Sequence, residues 1–252
     1  MNARDVVTPL GSGGWIPGPH RQTSCYLIRD ASHALVLDAG TGFGRLTTSP
    51  SFLAGVRTVT VVLSHFHLDH VAGLAMVGAD FSDAYEVVVA GPGAELYGTS
   101  TAAIVNDILG RPFQTSNPLR GARFVDIGEQ LRPDLGYDLS YRHQRRHPLP
   151  SIGVRLADRL SYCTDTEADP GTTEFAAGVG LLLHEAWAPI NAEAGHTSAA
   201  DASRIAAAAG VSSLALTHID QRQDPGELLS AAVASMPNTQ VATDLVPLAI
   251  PT

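Results

Sequence analysis

The most constraining feature of this sequence is a set of apolar runs that end in residues able to bind a metal ion. Each run has the length of a β-strand and is followed within two residues by a histidine or an aspartate. In open sheets, ligands bind at strand ends and in the loops after them, because the sheet holds those side chains rigidly. We therefore expect a functional site at these strand ends. The runs and the residues that follow them are Thr58–Leu63 with His65, Leu160–Cys163 with Asp165, Leu181–Leu183 with His184 and Glu185, and Leu214–Leu216 with His218.

The first of these strand ends carries the densest group of such residues. Three histidines and one aspartate occur in the segment HFHLDH, which begins at His65. In an extended segment His65 and His67 point the same way, and a turn would bring Asp69 and His70 to a second point. Imidazole and carboxylate groups suit zinc, and also iron or manganese. The pattern predicts two adjacent metal ions, and the alternative is a solvated loop that happens to be rich in histidine.

The composition excludes several other chemistries. All 16 basic residues are arginines, so the chain contains no lysine. This excludes enzymes that depend on a Schiff-base lysine or on the lysine of a phosphate-binding loop. The formal net charge of −9 argues against a chain coated in nucleic acid, although it leaves room for a local positive site.

Length and patterning predict one globular domain, residues 1–252, in which strands and helices alternate. Helical spacing is predicted over Ala94–Leu109 and over Thr197–Ala209, the latter with Ser198 as N-cap.

The cysteines, Cys25 and Cys163, lie in apolar runs and are interpreted as buried free thiols. No signal peptide or membrane-spanning stretch is apparent, so we expect a cytoplasmic protein with no membrane partner.

The HFHLDH segment resembles the HxHxDH signature of the metallo-β-lactamase superfamily. This resemblance implies an α/β (α+β) fold, a four-layer αββα sandwich with a metal site at the edge of its two sheets. Later segments are similar to the ribonuclease Z and phosphodiesterase branch of that superfamily. They are His147 to Arg155 (a metal-binding histidine before a strand), Thr164-Asp165-Thr166 (Gly-Asp-Thr in that branch), His184-Glu185-Ala186 (His-Glu-Ala-Thr), Gly195-His196-Thr197-Ser198 (His-Ser-Thr) and Leu216-Thr217-His218-Ile219 (the final metal-binding histidine).

Motif order narrows the resemblance further. Glyoxalase II-like proteins place a Gly-His-Thr before their metal-bridging aspartate, whereas here it follows Asp165. The metal-binding histidine before that aspartate must then be His147, which favours the ribonuclease Z-like order. Diiron flavoproteins carry glutamate at the second histidine of the signature. This chain keeps His67 there, which favours hydrolysis over redox chemistry.

The resemblance implies a complete ligand set for two metal ions. Read singly, some members have other interpretations: His147 could belong to a solvated basic loop, Asp165 could begin a helix, and His218 could be an ordinary strand-end histidine. The implied ligands are His65, His67 and His147 for one ion, Asp69, His70 and His218 for the other, and Asp165 as the bridge between them.

This ligand set leads to a hypothesis about mechanism. The charge of two divalent ions would exceed that of Asp69 and Asp165, so the site would favour an anionic substrate and lower the pKa of bridging water. We expect a dinuclear metal-dependent hydrolase, a phosphodiesterase in which metal-bridging hydroxide attacks a small phosphodiester. Asp69 and His196 are the predicted catalytic residues, with His196 protonating the leaving oxygen. His184 and Glu185 are expected to orient the groups around the metals.

Three departures from ribonuclease Z bear on the substrate. There is no glycine-rich or basic arm between Gly93 and Phe124, the chain is acidic, and Asp220, Gln221 and Arg222 replace the family's Ser, Arg and Tyr. A small anionic ester is therefore the expected substrate, and tRNA is a doubtful partner. A lactonase, an arylsulfatase, an armless tRNA 3′-processing endonuclease, a mononuclear iron oxygenase and a non-catalytic metal-binding protein stay open. Two zinc ions are expected, with manganese or iron as alternatives, and the resemblance implies a homodimer.

Overall fold

The computed structural model describes residues 5–144 and 146–251 and consists of two packed β-sheets with helices on their outer faces. This confirms the predicted α/β sandwich. The strands are β1 (Val6–Gly11), β2 (Cys25–Arg29), β3 (His33–Leu37), β4 (Thr58–Val62), β5 (Glu86–Gly91), β6 (Arg123–Asp126), β7 (Leu139–Gln144), β8 (Ser151–Leu156), β9 (Leu160–Cys163), β10 (Leu181–Glu185), β11 (Ser213–Thr217), β12 (Thr239–Val241) and β13 (Leu248–Ala249).

The helices are short and lie mostly between the strands in sequence. The α-helices are α1 (Arg45–Thr48), α2 (Leu68–Val71), α3 (Phe81–Ala84), α4 (Gly93–Tyr97), α5 (Thr101–Leu109), α6 (Pro170–Phe175), α7 (Ala199–Ala209) and α8 (Pro225–Val233), and 3-10 turns cover Thr41–Gly44, Pro50–Leu53 and Ala72–Ala75. Within residues 5–144 and 146–251, no helix combines the length and the apolar character needed to cross a membrane.

The two sheets repeat one topology. The first has the order β13-β1-β2-β3-β4-β5-β6 and the second the order β12-β11-β10-β9-β8-β7. In each, antiparallel strands at one end are followed by parallel ones: β13, β1 and β2 precede the parallel strands β3 to β6 in the first sheet, and β7 and β8 precede the parallel strands β9 to β12 in the second. Parallel neighbours end at the same sheet edge. The ends of β9, β10 and β11 therefore lie side by side.

Three buried clusters account for the layers. The central one joins the facing sides of the two sheets, for example through Tyr26 of the first and Tyr162 of the second. The other two lie between each sheet and its helices. Strand β10 shows why: Leu181 and Leu183 enter the central cluster, while Leu182 faces the helices, because side chains alternate along a strand. Both faces of this strand are buried, so its sequence is continuously apolar from Leu181 to Leu183, before the polar residues at its end.

Local signals in the sequence set the helix ends. Helix α7 begins after Ser198, whose side chain accepts a hydrogen bond from Asp201 N, and ends at Gly210 with φ of 65°. The predicted Ser198 cap is confirmed. The single helix predicted over Ala94–Leu109 is wrong: α4 ends at Gly98 in the left-handed region, and α5 begins after its own cap, Ser100. The polar Gly98–Ser100 stretch thus interrupts a continuous apolar spacing.

The two cysteines are buried and free, as predicted. Burial raises the pKa of the Cys163 thiol to about 12 and that of Cys25 well above its ordinary value. Both thiols are therefore protonated at neutral pH, which makes them packing groups rather than nucleophiles.

Candidate metal centre

The strand ends singled out in the sequence meet at one edge of the sandwich. His65 follows β4 of the first sheet, whereas Asp165, Glu185 and His218 end or follow β9, β10 and β11 of the second. The structure brings all seven predicted ligands together. In each of three groups the potential ligand atoms lie within 4.8 Å of one another: His65, His67, His147 and Asp165; Asp69, His70 and His218; and Asp165, His196 and His218.

The HFHLDH segment folds as its spacing suggests. His67 has an extended backbone, with φ of −60° and ψ of 146°, and directly precedes α2. The Nε2 atom of His65 and the Nδ1 atom of His67 are 3.1 Å apart, so the two rings converge. The helical turn then carries Asp69 and His70 to the second group, where His70 Nε2 and Asp69 Oδ2 are 3.5 Å apart.

Asp165 lies between the two groups and faces both. Its Oδ2 atom is 3.1 Å from His70 Nε2 and 3.4 Å from His218 Nε2. Its Oδ1 atom is 3.6 Å from His147 Nε2 and 3.9 Å from His65 Nε2. Each carboxylate oxygen therefore serves one group, which is the geometry that a bridging carboxylate requires.

Several of these side chains belong to residues whose backbone is in the left-handed conformation, and this conformation orients them. Asp165 and His218 have φ values of 53° and 48°, and Asp38, at the end of β3, has a φ of 57°. Such values are uncommon for residues other than glycine and cost of the order of 1–3 kcal/mol each. All three residues come within two positions of the end of a parallel strand. Because the chain turns at these residues, their side chains do not continue the alternation between the two faces of the sheet and lie at its edge instead.

Asp38 is a site residue that the sequence analysis missed. It is fully buried and accepts hydrogen bonds from Ser64 N at 2.6 Å, Ser64 Oγ at 2.8 Å, Tyr162 OH at 2.6 Å and His70 Nδ1 at 2.7 Å. Its signal was present in the sequence, because Ala34–Leu37 is another apolar run that ends in an aspartate. Asp38 orients His70 and also joins the two sheets through Tyr162.

Hydrogen bonds at Nδ1 leave the Nε2 atoms of three histidines available. His70 donates from Nδ1 to Asp38, His147 donates from Nδ1 to Leu149 O at 2.8 Å, and His65 Nδ1 is 3.0 Å from Ser64 Oγ. His70 Nε2 is buried and, among the described residues, has no hydrogen-bond partner despite its closeness to Asp165. Nitrogen lone pairs fixed in this way, with a carboxylate between them, fit a divalent metal ion.

Electrostatics divide the histidines into two kinds. Burial lowers the pKa of His65 and of His67, which keeps these rings neutral. Burial also disfavours charge on His70 and His218, but the carboxylates around them outweigh it and raise the pKa of both. Asp69 is the converse case, because His70 and His218 overcome its burial and lower the pKa of its carboxyl below the usual range.

His196 is held beside this cluster by Glu185. The Nδ1 atom of His196 donates to Glu185 Oε2 at 2.8 Å, and Glu185 Oε1 accepts from Thr166 N at 2.5 Å. The ring of His196 stacks on Trp187 with centroids 4.3 Å apart. Burial opposes protonation of His196, but the hydrogen bond to Glu185 outweighs it and raises the pKa of the ring.

The structure separates the two residues that were predicted to orient the site. Glu185 faces the site, whereas His184 is the preceding residue of β10 and points to the opposite face of the sheet. His184 Nδ1 hydrogen-bonds to the backbone oxygen of Glu185 at 3.0 Å, and its buried Nε2 has no hydrogen-bond partner among the described residues. The orienting role predicted for Glu185 thus has a geometric basis, and that of His184 has none in these contacts.

A pocket of about 410 Å³ opens over the predicted ligands. Besides predicted residues, it is lined by Trp15, Trp187, Glu193 and Arg222. The sequence gave no reason to select Trp15, which lies far along the chain from the histidine motifs, or Glu193, which lies in a loop three residues before His196 but belongs to none of the motifs. The remaining lining residues are His67, Asp69, His147, Asp165, His196 and His218.

Comparisons with known proteins agree with this geometry. A family profile described as a Beta-lactamase superfamily domain matches residues 33–219. A ribonuclease Z of Bradyrhizobium diazoefficiens is 26% identical over 95% of this chain and 97% of that protein. An uncharacterized protein of Mycobacterium tuberculosis (strain H37Rv) is 32% identical over 90% of this chain and 85% of that protein.

Solved structures share the fold at lower identity. The metallo-beta-lactamase fold protein YhfI from Bacillus subtilis superposes with a TM-score of 0.79 at 20% identity, covering 96% of this chain and 98% of that one. A diphosphatase from the PhnP family superposes with a TM-score of 0.73 at 15% identity, covering 98% of this chain and 99% of that one.

The position of Asp38 generates a first prediction. Asp38→Asn removes the charge that orients His70, so the affinity of the protein for Zn²⁺ should fall by roughly 10- to 100-fold. Competition with a chromophoric chelator measures this directly. Asp107→Asn, which neutralises an exposed carboxylate on α5, is the matched control and should leave the affinity unchanged. Unaltered Zn²⁺ affinity in a folded Asp38→Asn protein would contradict the role.

The raised pKa values of His70 and His218 generate a second prediction. A metal ion binds only the unprotonated ring, so protons compete with it more strongly as the pH falls. The carboxyl of Asp69 has a lowered pKa and stays ionised over this range. Zn²⁺ affinity should therefore decrease with falling pH, by up to about tenfold per pH unit for each displaced proton. Chelator competition at several pH values tests this, and a pH-independent affinity would be the opposite result.

Proposed function

This chain belongs to the beta-lactamase superfamily, as its HFHLDH segment predicted, and from that premise we propose that it is a phosphodiesterase with two divalent metal ions. The coarser statement, a hydrolase of the metallo-β-lactamase fold, rests on the family match and the shared fold. The finer one rests on the geometry of the site.

The observation that carries the proposal is the position of Asp165 between two groups of ligand atoms. His65, His67 and His147 would hold one ion and Asp69, His70 and His218 the other, with one oxygen of Asp165 toward each. When bound, two divalent ions would activate a water molecule and neutralise charge on phosphoryl oxygens. Zinc suits this mixture of imidazole and carboxylate ligands.

The charge of the site selects an anionic substrate. The carboxylates that would contact the ions are Asp69 and Asp165, and their combined charge is smaller than that of two divalent ions. Asp69 is fixed further by the backbone N–H of Trp15, which donates to its Oδ2 at 2.7 Å. A phosphodiester carries one negative charge beside its reacting phosphorus, which such a site attracts.

His196 is the proposed proton donor to the leaving oxygen. Its ring lines the pocket, and Glu185 stabilises its protonated form, so the ring holds a proton that it can deliver. Trp187 stacks on one face and fixes the ring plane. His196 also lies near Asp165 and His218, where it could act as a metal ligand. The hydrogen bond to a buried carboxylate favours the acid, because it stabilises the charged ring.

Processing of tRNA 3′ ends is the second candidate. It is favoured by the likeness to a ribonuclease Z over nearly the full length of both chains. Against it, the chain between β5 and β6 forms only α4, α5 and a short turn region, so nothing there projects as an arm. A lactonase or an arylsulfatase would use the same ligands and is distinguished by substrate alone.

A substrate panel tests the proposed function. The Zn²⁺- and Mn²⁺-loaded protein is offered bis(p-nitrophenyl) phosphate, an aryl sulfate, an acyl-homoserine lactone and precursor tRNA, and its metal content is measured on the same sample. We expect diester hydrolysis with about two metal ions per chain, and loss of both after chelation. Asp165→Ala should abolish turnover. Rapid lactone opening or tRNA cleavage without hydrolysis of the small diester would overturn the proposal.

A separate prediction concerns His196. His196→Ala should slow the hydrolysis of a diester with an alkyl leaving group by roughly 10²- to 10⁴-fold, because a poor leaving oxygen needs a proton. The hydrolysis of a nitrophenyl ester, whose leaving oxygen needs no proton, should slow much less. Metal content must stay that of the unaltered protein. A loss of one metal ion in His196→Ala would instead identify the residue as a ligand, and equal losses on both esters would exclude proton donation.

A further inference from the structure

We propose that Trp15 makes this pocket selective for phosphodiesters with a planar aromatic group and no second negative charge. The inference rests on the proposed phosphodiesterase function and names its class of substrate. It starts from the half of the pocket that the metal ligands do not form, where Trp15, Glu193 and Arg222 line the wall.

Trp15 is an exposed side chain on a fixed backbone. Its side chain is 57% exposed, yet its backbone N–H is bound to Asp69 Oδ2. The residue before it, Gly14, donates to Ile219 O at 3.0 Å and passes so close to His218 that a Cβ there would lie 2.6 Å from the ring. The loop is thus fastened to two predicted metal ligands. The backbone that carries the indole ring is therefore held at a fixed place beside the predicted metal ligands.

The backbone of Trp15 is also strained. Its φ of 64° lies in the left-handed region, which a bulky residue seldom adopts. Neither local conformation nor burial of the ring accounts for tryptophan at this position. Exposed large apolar groups inside a pocket commonly contact a ligand, and a flat indole ring binds other flat rings best.

The charges on this side of the pocket reject a second anion. Arg222 lies over the Trp15 ring at 5.5 Å, but its Nε is 3.0 Å from both carboxylate oxygens of Asp220. The guanidinium charge is therefore already paired. Glu193 adds a second carboxylate to the same wall, close enough to Arg222 that its charge contributes to raising the pKa of that guanidinium, so two carboxylates stand against one guanidinium. A ligand group placed here meets an aromatic surface and a net negative field.

The test measures the hydrolysis of three phosphodiesters by the metal-loaded protein. All three carry the same leaving group, trifluoroethanol, and its release is monitored by fluorine NMR. Their other esters are naphthylmethyl, decahydronaphthylmethyl, and naphthylmethyl carrying a ring carboxylate. The first two share one bicyclic carbon frame and one charge, so they differ in planarity and aromaticity. We expect kcat/KM to favour naphthylmethyl over decahydronaphthylmethyl by roughly tenfold, the size of a single stacking contact. The carboxylated ester should fall well below its neutral parent.

Variants assign these effects to residues. Trp15→Ala should remove the preference for the aromatic ester while keeping the backbone N–H bond to Asp69, and Trp15→Phe should retain most of it. Phe113→Ala, which removes another exposed aromatic ring outside the pocket, is the control and should leave the preference intact. Glu193→Gln should reduce the difference in kcat/KM between the carboxylated ester and its neutral parent.

The outcomes separate the inference from the proposed function. If no diester is hydrolysed by the metal-loaded protein, the phosphodiesterase proposal fails and this inference fails with it. If diesters are hydrolysed with equal kcat/KM for the planar and saturated esters, only the inference is overturned. Persistence of the preference in Trp15→Ala overturns it as well. Should Trp15→Ala fail to fold, the comparison of esters on the unaltered protein still decides.

Discussion

The buried charge of Asp165 is the constraint on which the rest of this structure depends. A carboxylate removed from water is strongly unfavourable unless opposite charge or hydrogen-bond donors surround it. Here the surrounding groups are histidines from both sheets: His65 and His70 follow a strand of the first sheet, and His218 follows a strand of the second. The two sheets must therefore end at the same level, and the strained turn at Asp165 itself is held in place by this convergence.

The same constraint explains why the site and the core are one structure. Asp38 accepts hydrogen bonds from the Tyr162 hydroxyl of the opposite sheet and from Nδ1 of His70, so a predicted metal ligand is oriented by a carboxylate that is also bonded across the central cluster. Ser64 adds two further hydrogen bonds to the same carboxylate. The positions of the predicted ligands therefore depend on the packing of the sheets, and a change that shifts one sheet against the other would move Asp38 away from Tyr162.

The two sides of the pocket differ in chemistry because different parts of the chain build them. Strand ends supply the imidazoles and carboxylates of the metal centre, which recur wherever a divalent ion must be held. Loops supply Trp15, Glu193 and Arg222, whose backbones can vary without moving a strand. The predicted metal ligands are thus positioned mainly by the sheets, while the rest of the pocket wall comes from loops, and the loop that carries Trp15 is joined to the ligand set by the hydrogen bond from Trp15 N to Asp69.

The sequence alone determined the features that depend on neighbours along the chain. The HFHLDH segment, the apolar strands and the cap at Ser198 each act within a few residues, and periodicity is enough to detect them. The break at Gly98 and the short strands β12 and β13 were missed because two or three residues carry too little periodicity. Only the tertiary structure decided that Asp38 supports His70, that His184 turns away from the site, and that Trp15 lines the pocket. Those contacts join residues tens to hundreds of positions apart, and they exist only once parallel strands from two sheets have been placed side by side.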